Sequence, residues 1–234
     1  MKRGKRTFMK LFIDDADTAK IRKLYDLYPV DGVTTNPSIL YKSGRNPKEV
    51  LKEIRSIIGN DPLFVQAVPL DSQGMIEDAK AIVEAFGKDT IVKIPSIPEG
   101  FKAIRELKKL GITTCGTVVY TPMQAYLAAK AGASYVAPYV NRIDNMGYDG
   151  VSVTKEIHDI LIANNLDCIV LAASFKNSQQ VKELCAYGVG SATAAPDVIE
   201  GFVKNAAVDQ AVSDFCNDFA KIGGADKTMR DYLK

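Results

Sequence analysis

The chain has 234 residues, 47% of them hydrophobic and 25% charged, and the charges nearly cancel to a formal +2. That length suits one α/β barrel domain or, less well, two small domains. The balance excludes a disordered chain, and with Lys and Arg interspersed among Asp and Glu there is no basic stripe for nucleic acid.

No apolar run approaches the roughly 18 residues that a membrane helix needs. Met1 to Lys10 is basic, but no apolar signal core and no cleavage site follow it. Met9 directly precedes the first strand-like run. Residues 1–8 therefore read as an N-terminal extension, native or left by cloning, ahead of a barrel domain over 9–234. The four cysteines (Cys115, Cys168, Cys185 and Cys216) form no CxxC pair, and the lone His158 cannot complete a common zinc site with them. No metal is expected. Free thiols in a reducing cytoplasm are the simplest account of them.

Taken in chain order, short β-branched runs alternate with helical segments. Leu11–Asp14 is followed by a helix over about 16–28, Gly32–Asn36 by 46–58, Leu63–Val68 by 73–86 and Ile91–Ser96 by 99–109. Ile112–Val118 leads into 121–131, Tyr135–Asn141 into 151–164, Cys168–Ser174 into 177–187 and Ser191–Ala194 into 196–204. A last helix covers about 206–221. Gly59-Asn60, Gly87, Gly111, Gly132, Asn164-Asn165 and Gly188 punctuate the joins. Eight such units predict a single (β/α)8 TIM barrel with an additional C-terminal helix. An open doubly wound sheet is the rival. It usually has fewer strands and often a Gly-rich first turn, whereas the first turn here reads Asp15-Ala16-Asp17-Thr18 and no GxGxxG or Walker A sequence occurs.

Alternate residues of a barrel strand point inward, and chemistry sits at the C-terminal strand ends. By that parity Asp14 shares a face with Phe12, Gln66 with Phe64, Lys93 with Ile91 and Pro95, Tyr139 with Ala137, and Ser174 with Val170 and Ala172. Strand two ends in Thr34-Thr35-Asn36 and strand five near Thr117. Buried polar groups cost free energy unless partnered, and several at one barrel mouth can partner each other or a polar ligand. Lys93 stands out because lysine is almost never fully buried without a purpose. Burial disfavours an ammonium, and attack on a ketone requires a neutral amine. The alternative is an outward lysine whose head snorkels to water past a helix.

Six segments resemble the transaldolase family, in particular its small members, which include the bacterial fructose-6-phosphate aldolases. They are Leu-Phe-Ile-Asp at 11–14, Gly-Val-Thr-Thr-Asn-Pro-Ser-Ile at 32–39, Val-Lys-Ile-Pro at 92–95, Gly-Thr-Val-Val-Tyr at 116–120, Ala-Pro-Tyr-Val-Asn-Arg-Ile-Asp at 137–144 and Leu-Ala-Ala-Ser-Phe-Lys at 171–176. The resemblance spans about Met9 to Phe219. It implies a (β/α)8 barrel with the Schiff-base lysine at Lys93 and Asp14 handling protons at a substrate hydroxyl. It further implies Asn36, with Thr34 nearby, on the donor hydroxyls, and Thr117 on a catalytic water. Arg142, Ser174 and Lys176 would hold an acceptor phosphate; an ion pair of Arg142 with Asp144 or Asp149 is the competing reading.

Transaldolases proper resemble one another in having Glu where this chain has Gln66 and Phe where it has Tyr139. Gln66 can orient a water but not take its proton, which leaves the Tyr139 phenol to do so. That pairing favours an aldolase, with dihydroxyacetone transfer between sugar phosphates as the alternative and a non-catalytic sugar-phosphate binder as the third reading. Lys176 where relatives often have Arg, Ile97 where they often have Thr, and Ala194-Ala195-Pro196 where Leu-Pro-Leu is commoner leave the exact substrate open. No organic cofactor is implied. The last helix presents Val208, Val212, Phe215 and Phe219 on one stripe. The resemblance implies that it crosses to a neighbour in a ring of five or ten; packing on its own barrel is the alternative.

Overall fold

Strands of a parallel barrel are covered on both faces, so they must be apolar nearly throughout. A computed structural model of the protein describes residues 8–233; most of its strand residues are buried, and polar ones such as Lys93, Thr117 and Thr193 interrupt the apolar runs. The strands are β1 (Lys10–Asp14), β2 (Val33–Thr34), β3 (Leu63–Gln66), β4 (Thr90–Pro95), β5 (Thr114–Val119), β6 (Tyr135–Pro138), β7 (Ile169–Ala172) and β8 (Ser191–Ala194). All pair in parallel with their sequence neighbours, and β8 returns to β1 to close the barrel. The expected (β/α)8 architecture is therefore the observed one. The 1–8 segment, apart from an exposed Phe8, lies outside the described residues.

Helix starts follow local chemistry. Side-chain acceptors from Asp17, Asn46, Asp71, Thr121, Asp149 and Asn177 cap α1 (Thr18–Leu27), α3 (Pro47–Ile58), α4 (Ser72–Phe86), α6 (Pro122–Ala131), α8 (Gly150–Ala163) and α9 (Ser178–Tyr187). Proline opens α2 (Pro37–Lys42), α3, α5 (Pro98–Lys109) and α6, where its missing N–H has no partner to lose. Amphipathic spacing then turns Ile104 and Leu107 of α5 fully inward. Such a side chain contributes about 1.5–3 kcal/mol on burial.

Three differences from the sequence reading matter. β2 stops at Thr34, because Asn36 leaves the sheet to cap α2 ahead of Pro37. β6 stops at Pro138, where Tyr139 makes only an isolated bridge to Ala173 and α7 (Val140–Asp144) begins. The helix expected over 196–204 closes early as α10 (Pro196–Glu200). Both extra helices sit at the C-terminal ends of strands, the catalytic side of such barrels.

The barrel interior is plugged at its lower level by Phe12, Phe64, Ile91, Cys115, Tyr135, Ala137 and Leu171. Phe64 meets both Phe12 and Tyr135 edge-on, with ring centroids 5.2 and 5.3 Å apart. Two further apolar clusters lie between strands and helices. Residues up to Ile199 form one compact unit and those from Glu200 a second. The second holds α11 (Ala206–Gly223), capped by Asn205, and a short 3-10 turn at Met229–Tyr232 whose Tyr232 packs edge-on against Phe219. Val208, Val212 and Phe215 of α11 are exposed.

Gly32, at φ +146°, shows how tightly the plug is built. A Cβ there would stand 2.3 Å from the Pro62 carbonyl oxygen and 3.0 Å from the Phe12 ring. Backbone strain and overpacking add, so Gly32→Ala is expected to cost about 3 kcal/mol and lower Tm by about 10 °C. An unchanged thermal melt would refute that account of the plug.

Candidate active site

Above the aromatic plug the inward positions become polar. β3 and β4 set Gln66 opposite Lys93, and β4 and β5 set Lys93 opposite Cys115 and Pro95 opposite Thr117. Lys93 is only 5% exposed, between Val92 and Ile94, which pack outward under the helices. Its side chain therefore takes the inward direction of Ile91, not the snorkelling one. The Lys93 Nζ donates to the Thr35 carbonyl oxygen at 2.9 Å. That carbonyl is available because the chain leaves β2 immediately after Thr34.

Asp14 ends β1 beside Thr34, its partner on β2. The Thr34 hydroxyl donates to Asp14 Oδ1 at 2.7 Å and stands 2.6 Å from the hydroxyl of Thr193. Thr34 has one proton. If it goes to the carboxylate, Thr193 must donate to Thr34, giving a directed chain from Thr193 through Thr34 to Asp14. Asp14 keeps some solvent access but is hemmed in by protein on all sides. That desolvation pushes its carboxyl above the usual carboxylate range; the Lys93 charge and the Thr34 hydrogen bond pull the other way without winning. Nothing in the sequence motifs singles out Thr193. Its parity with Phe12, which it faces across β1 and β8, was the signal that could have found it.

On the opposite side Thr117 Oγ1 lies 3.1 Å from the Tyr139 hydroxyl, and either can donate. A register shift between Gly116 and Val119, with Val118 at φ +60°, accompanies Thr117 at the end of β5. Tyr139 is held edge-on by Tyr120 at 5.6 Å and lies under the Arg142 guanidinium, whose carbon is 4.5 Å from the ring centroid. Asp144 accepts from Gly150 N and Gln180 Nε2, and Asp149 caps α8. Among the described residues neither carboxylate forms an ion pair with Arg142. Val170 and Ala172, with which parity groups Ser174, pack outward against the helices, and Leu171 faces the barrel interior; Ser174 sits just past β7 at φ +62°, off that alternation, and Lys176 is exposed two residues on. Asn36 spends its Oδ1 on the Ile39 N–H at 3.0 Å.

The fold thus sets Lys93, Asp14, Thr34, Gln66 and Thr117 on strands, with Tyr139 just past the end of β6. Asn36, Arg142, Ser174 and Lys176 stand on the turns and short helices that follow. Cys115 is a poor rival nucleophile, since burial pushes its thiol up to about 12. A cavity of about 860 Å³ lies to one side. Its lining from α2, α3 and α4 includes Leu40, Tyr41, Ile82 and Phe86, and of the constellation only Gln66. The candidate site is drawn from the polar strand ends and not from that concavity. Among the described residues no helix is long and apolar enough to cross a membrane.

The family described as Transaldolase/Fructose-6-phosphate aldolase matches residues 11–232. A probable transaldolase of Geotalea daltonii is 40% identical over 214 residues, which cover 92% of this chain and 99% of that one. Among solved structures, an arginine-to-lysine mutant of flavocytochrome b2 aligns with a TM-score of 0.58 at 15% identity, over 81% of this chain and 56% of its own. A double mutant of the same protein with sulfite bound aligns at 0.57 and 14%, over 82% and 57%. The chain spans little over half the length of those flavocytochrome structures, and at such identity the likeness concerns the fold alone.

The Asp14 environment yields a pH signature. A carboxyl raised above its unfolded value makes ionisation unfavourable in the fold. The resulting loss of stability is present at pH values above the folded value and absent below the unfolded one, near 4. Asp14→Asn should therefore melt higher than the parent at pH 7, with the two melting curves converging as the pH falls below about 4. A gap that persists unchanged at acid pH would contradict this.

Proposed function

The chain belongs to the transaldolase/fructose-6-phosphate aldolase family, and within it we propose a Schiff-base aldolase that cleaves or forms fructose 6-phosphate or a related sugar phosphate. Membership makes it an enzyme of the transaldolase/aldolase type working through a Schiff base. The finer choice of aldolase over transaldolase rests on one observation. Opposite Lys93 stands Gln66, an amide, and the phenol of Tyr139 lies 3.1 Å from Thr117.

Neutral Lys93 would attack the ketone carbon, and loss of water from the carbinolamine gives a protonated imine. The imine accepts the electron pair of the breaking carbon–carbon bond, leaving an enamine and releasing an aldehyde such as glyceraldehyde 3-phosphate. A water oriented by Gln66 and Thr117 carries protons to and from the Tyr139 phenol. The enamine is then protonated at carbon, and water hydrolyses the imine to free dihydroxyacetone. Asp14, held by Thr34, serves the donor hydroxyl, and Asn36 binds beside it. Arg142, Ser174 and Lys176 would receive the phosphate, a dianion suited to two cations and a hydroxyl. The chemistry calls for no metal or organic cofactor. Free cysteines and the metabolic character of the family support a cytoplasmic setting.

The exposed Val208, Val212 and Phe215 of α11 support assembly through this helix, in a ring of five or ten copies. Light scattering of a chain cut after Lys204 tests it: a cut chain that keeps the mass of the full oligomer would reject the helix as the contact.

Borohydride with fructose 6-phosphate should leave a reduced three-carbon adduct that mass spectrometry places at Lys93; an adduct elsewhere, or none, ends the proposal. Tyr139→Phe should still form that adduct while turnover falls by about 100-fold or more. Fructose 6-phosphate alone should release free dihydroxyacetone. Turnover that strictly needs erythrose 4-phosphate would instead establish the transferase reading.

A further inference from the structure

The residues assigned to phosphate stand on two separate segments. Arg142 rides on α7, and Ser174 and Lys176 on the turn after β7. Two backbone bonds join the segments at their base, Val140 N to Ala173 O at 2.9 Å and Asn141 N to Ser174 O at 2.8 Å. Further out, one side chain spans them. Gln180 Oε1 accepts from the Lys176 N–H at 2.8 Å, while its Nε2 donates to Asp144 Oδ2 at 2.6 Å. The partners dictate the amide's orientation, since an N–H needs the oxygen and a carboxylate needs the NH2.

Both ends of this bridge are anchored. Asp144 closes α7, and its other oxygen accepts from Gly150 N at 2.7 Å. Gly150 itself has no room for a side chain, since a Cβ would lie 2.1 Å from the Val140 carbonyl oxygen. α7 is therefore seated hard on the start of α8. At the other end Gln180 belongs to the first turn of α9, where Asn177 caps its N–H at 3.1 Å. Between the anchors lies Ser174 at φ +62°, a left-handed conformation that a residue with a side chain keeps only when its surroundings over-determine it.

We propose that Gln180 is a positioning residue for phosphate recognition: its amide, locked to Asp144, fixes the spacing between Arg142 and the Ser174–Lys176 turn. This rests on the reading that those three residues receive the phosphate. Gln180 does not touch substrate. It acts on KM for phosphorylated aldehydes and leaves the imine chemistry at Lys93 alone.

An exchange experiment tests this in the full chain, in the direction that joins dihydroxyacetone to an aldehyde. Gln180→Glu sets a carboxylate against Asp144. It should raise KM for glyceraldehyde 3-phosphate by about tenfold, as expected for losing a hydrogen bond to a charged group, with kcat little changed. KM for unphosphorylated glyceraldehyde should stay put, which also reports that the variant folds. Asp144→Asn combined with Gln180→Glu restores one donor and one acceptor between the positions and should return KM to within about threefold of the parent. Equal losses with both aldehydes, no loss with either, or no rescue by the exchange would overturn the proposal. Arg142→Ala separates the two claims. If it keeps the preference for the phosphorylated aldehyde, the phosphate assignment falls and the proposal with it. If it abolishes that preference while Gln180→Glu does not, only the role of Gln180 is wrong.

Discussion

The constraint on which the rest depends is the placing of an amine inside an apolar barrel. Lys93 stands on β4 with Ile91 beneath it and Val92 and Ile94 turned to the helices. A lysine there must find partners within the barrel, because its strand offers none. The partner it finds is a backbone carbonyl, that of Thr35, exposed by the early end of β2. The end of β2 is in turn set by Asn36 and Pro37, which start α2. A helix cap on one strand's exit thus supplies the hydrogen-bond acceptor for Lys93 two strands away.

The two levels of the interior divide the labour. Below, rings and branched side chains fill the barrel so closely that Gly32 cannot become alanine without displacing Pro62 or Phe12. Above, hydrogen bonds replace dispersion: Thr193 to Thr34 to Asp14 on one side, Thr117 to Tyr139 on the other. A packed lower level keeps the strand ends in register, which is what lets groups on β1, β2 and β8 meet at 2.6–2.7 Å.

The strand content was legible because the side-chain period is two and does not depend on distant residues. Parity alone placed Lys93 over Ile91, Gln66 over Phe64 and Asp14 over Phe12. The short helices were not legible. α2 and α7 are 6 and 5 residues long, too short for a helical period to register, and the Tyr139–Asn141 stretch reads as strand by composition. Nor were the long-range hydrogen bonds. Thr193 meets Thr34 across 159 residues and Gln180 meets Asp144 across 36, and no local pattern announces either. The family segments implied roles for Asn36 and Arg142, but they could not say that Asp144 would turn to Gln180 and leave Arg142 over the Tyr139 ring.

Part of what this arrangement costs lies at the C-terminal ends of the strands. Val118 and Ser174 hold left-handed backbone angles, which for residues with side chains cost on the order of 1–3 kcal/mol each. Asp14 is desolvated beyond what its partners offset. None of these features is needed to close the barrel, whose apolar clusters run beneath them. Each sits next to a group assigned to the chemistry. Val118 follows Thr117, Ser174 heads the turn that reaches Lys176, and Asp14 faces Thr34. Strain and desolvation persist where the surrounding fold over-determines them, and here the over-determination is visible bond by bond: the Asn141 N–H on the Ser174 carbonyl, the Gln180 amide on Lys176, the Thr34 hydroxyl on Asp14. Those bonds, made above a packed lower level, are what keep Ser174 and Asp14 where they are.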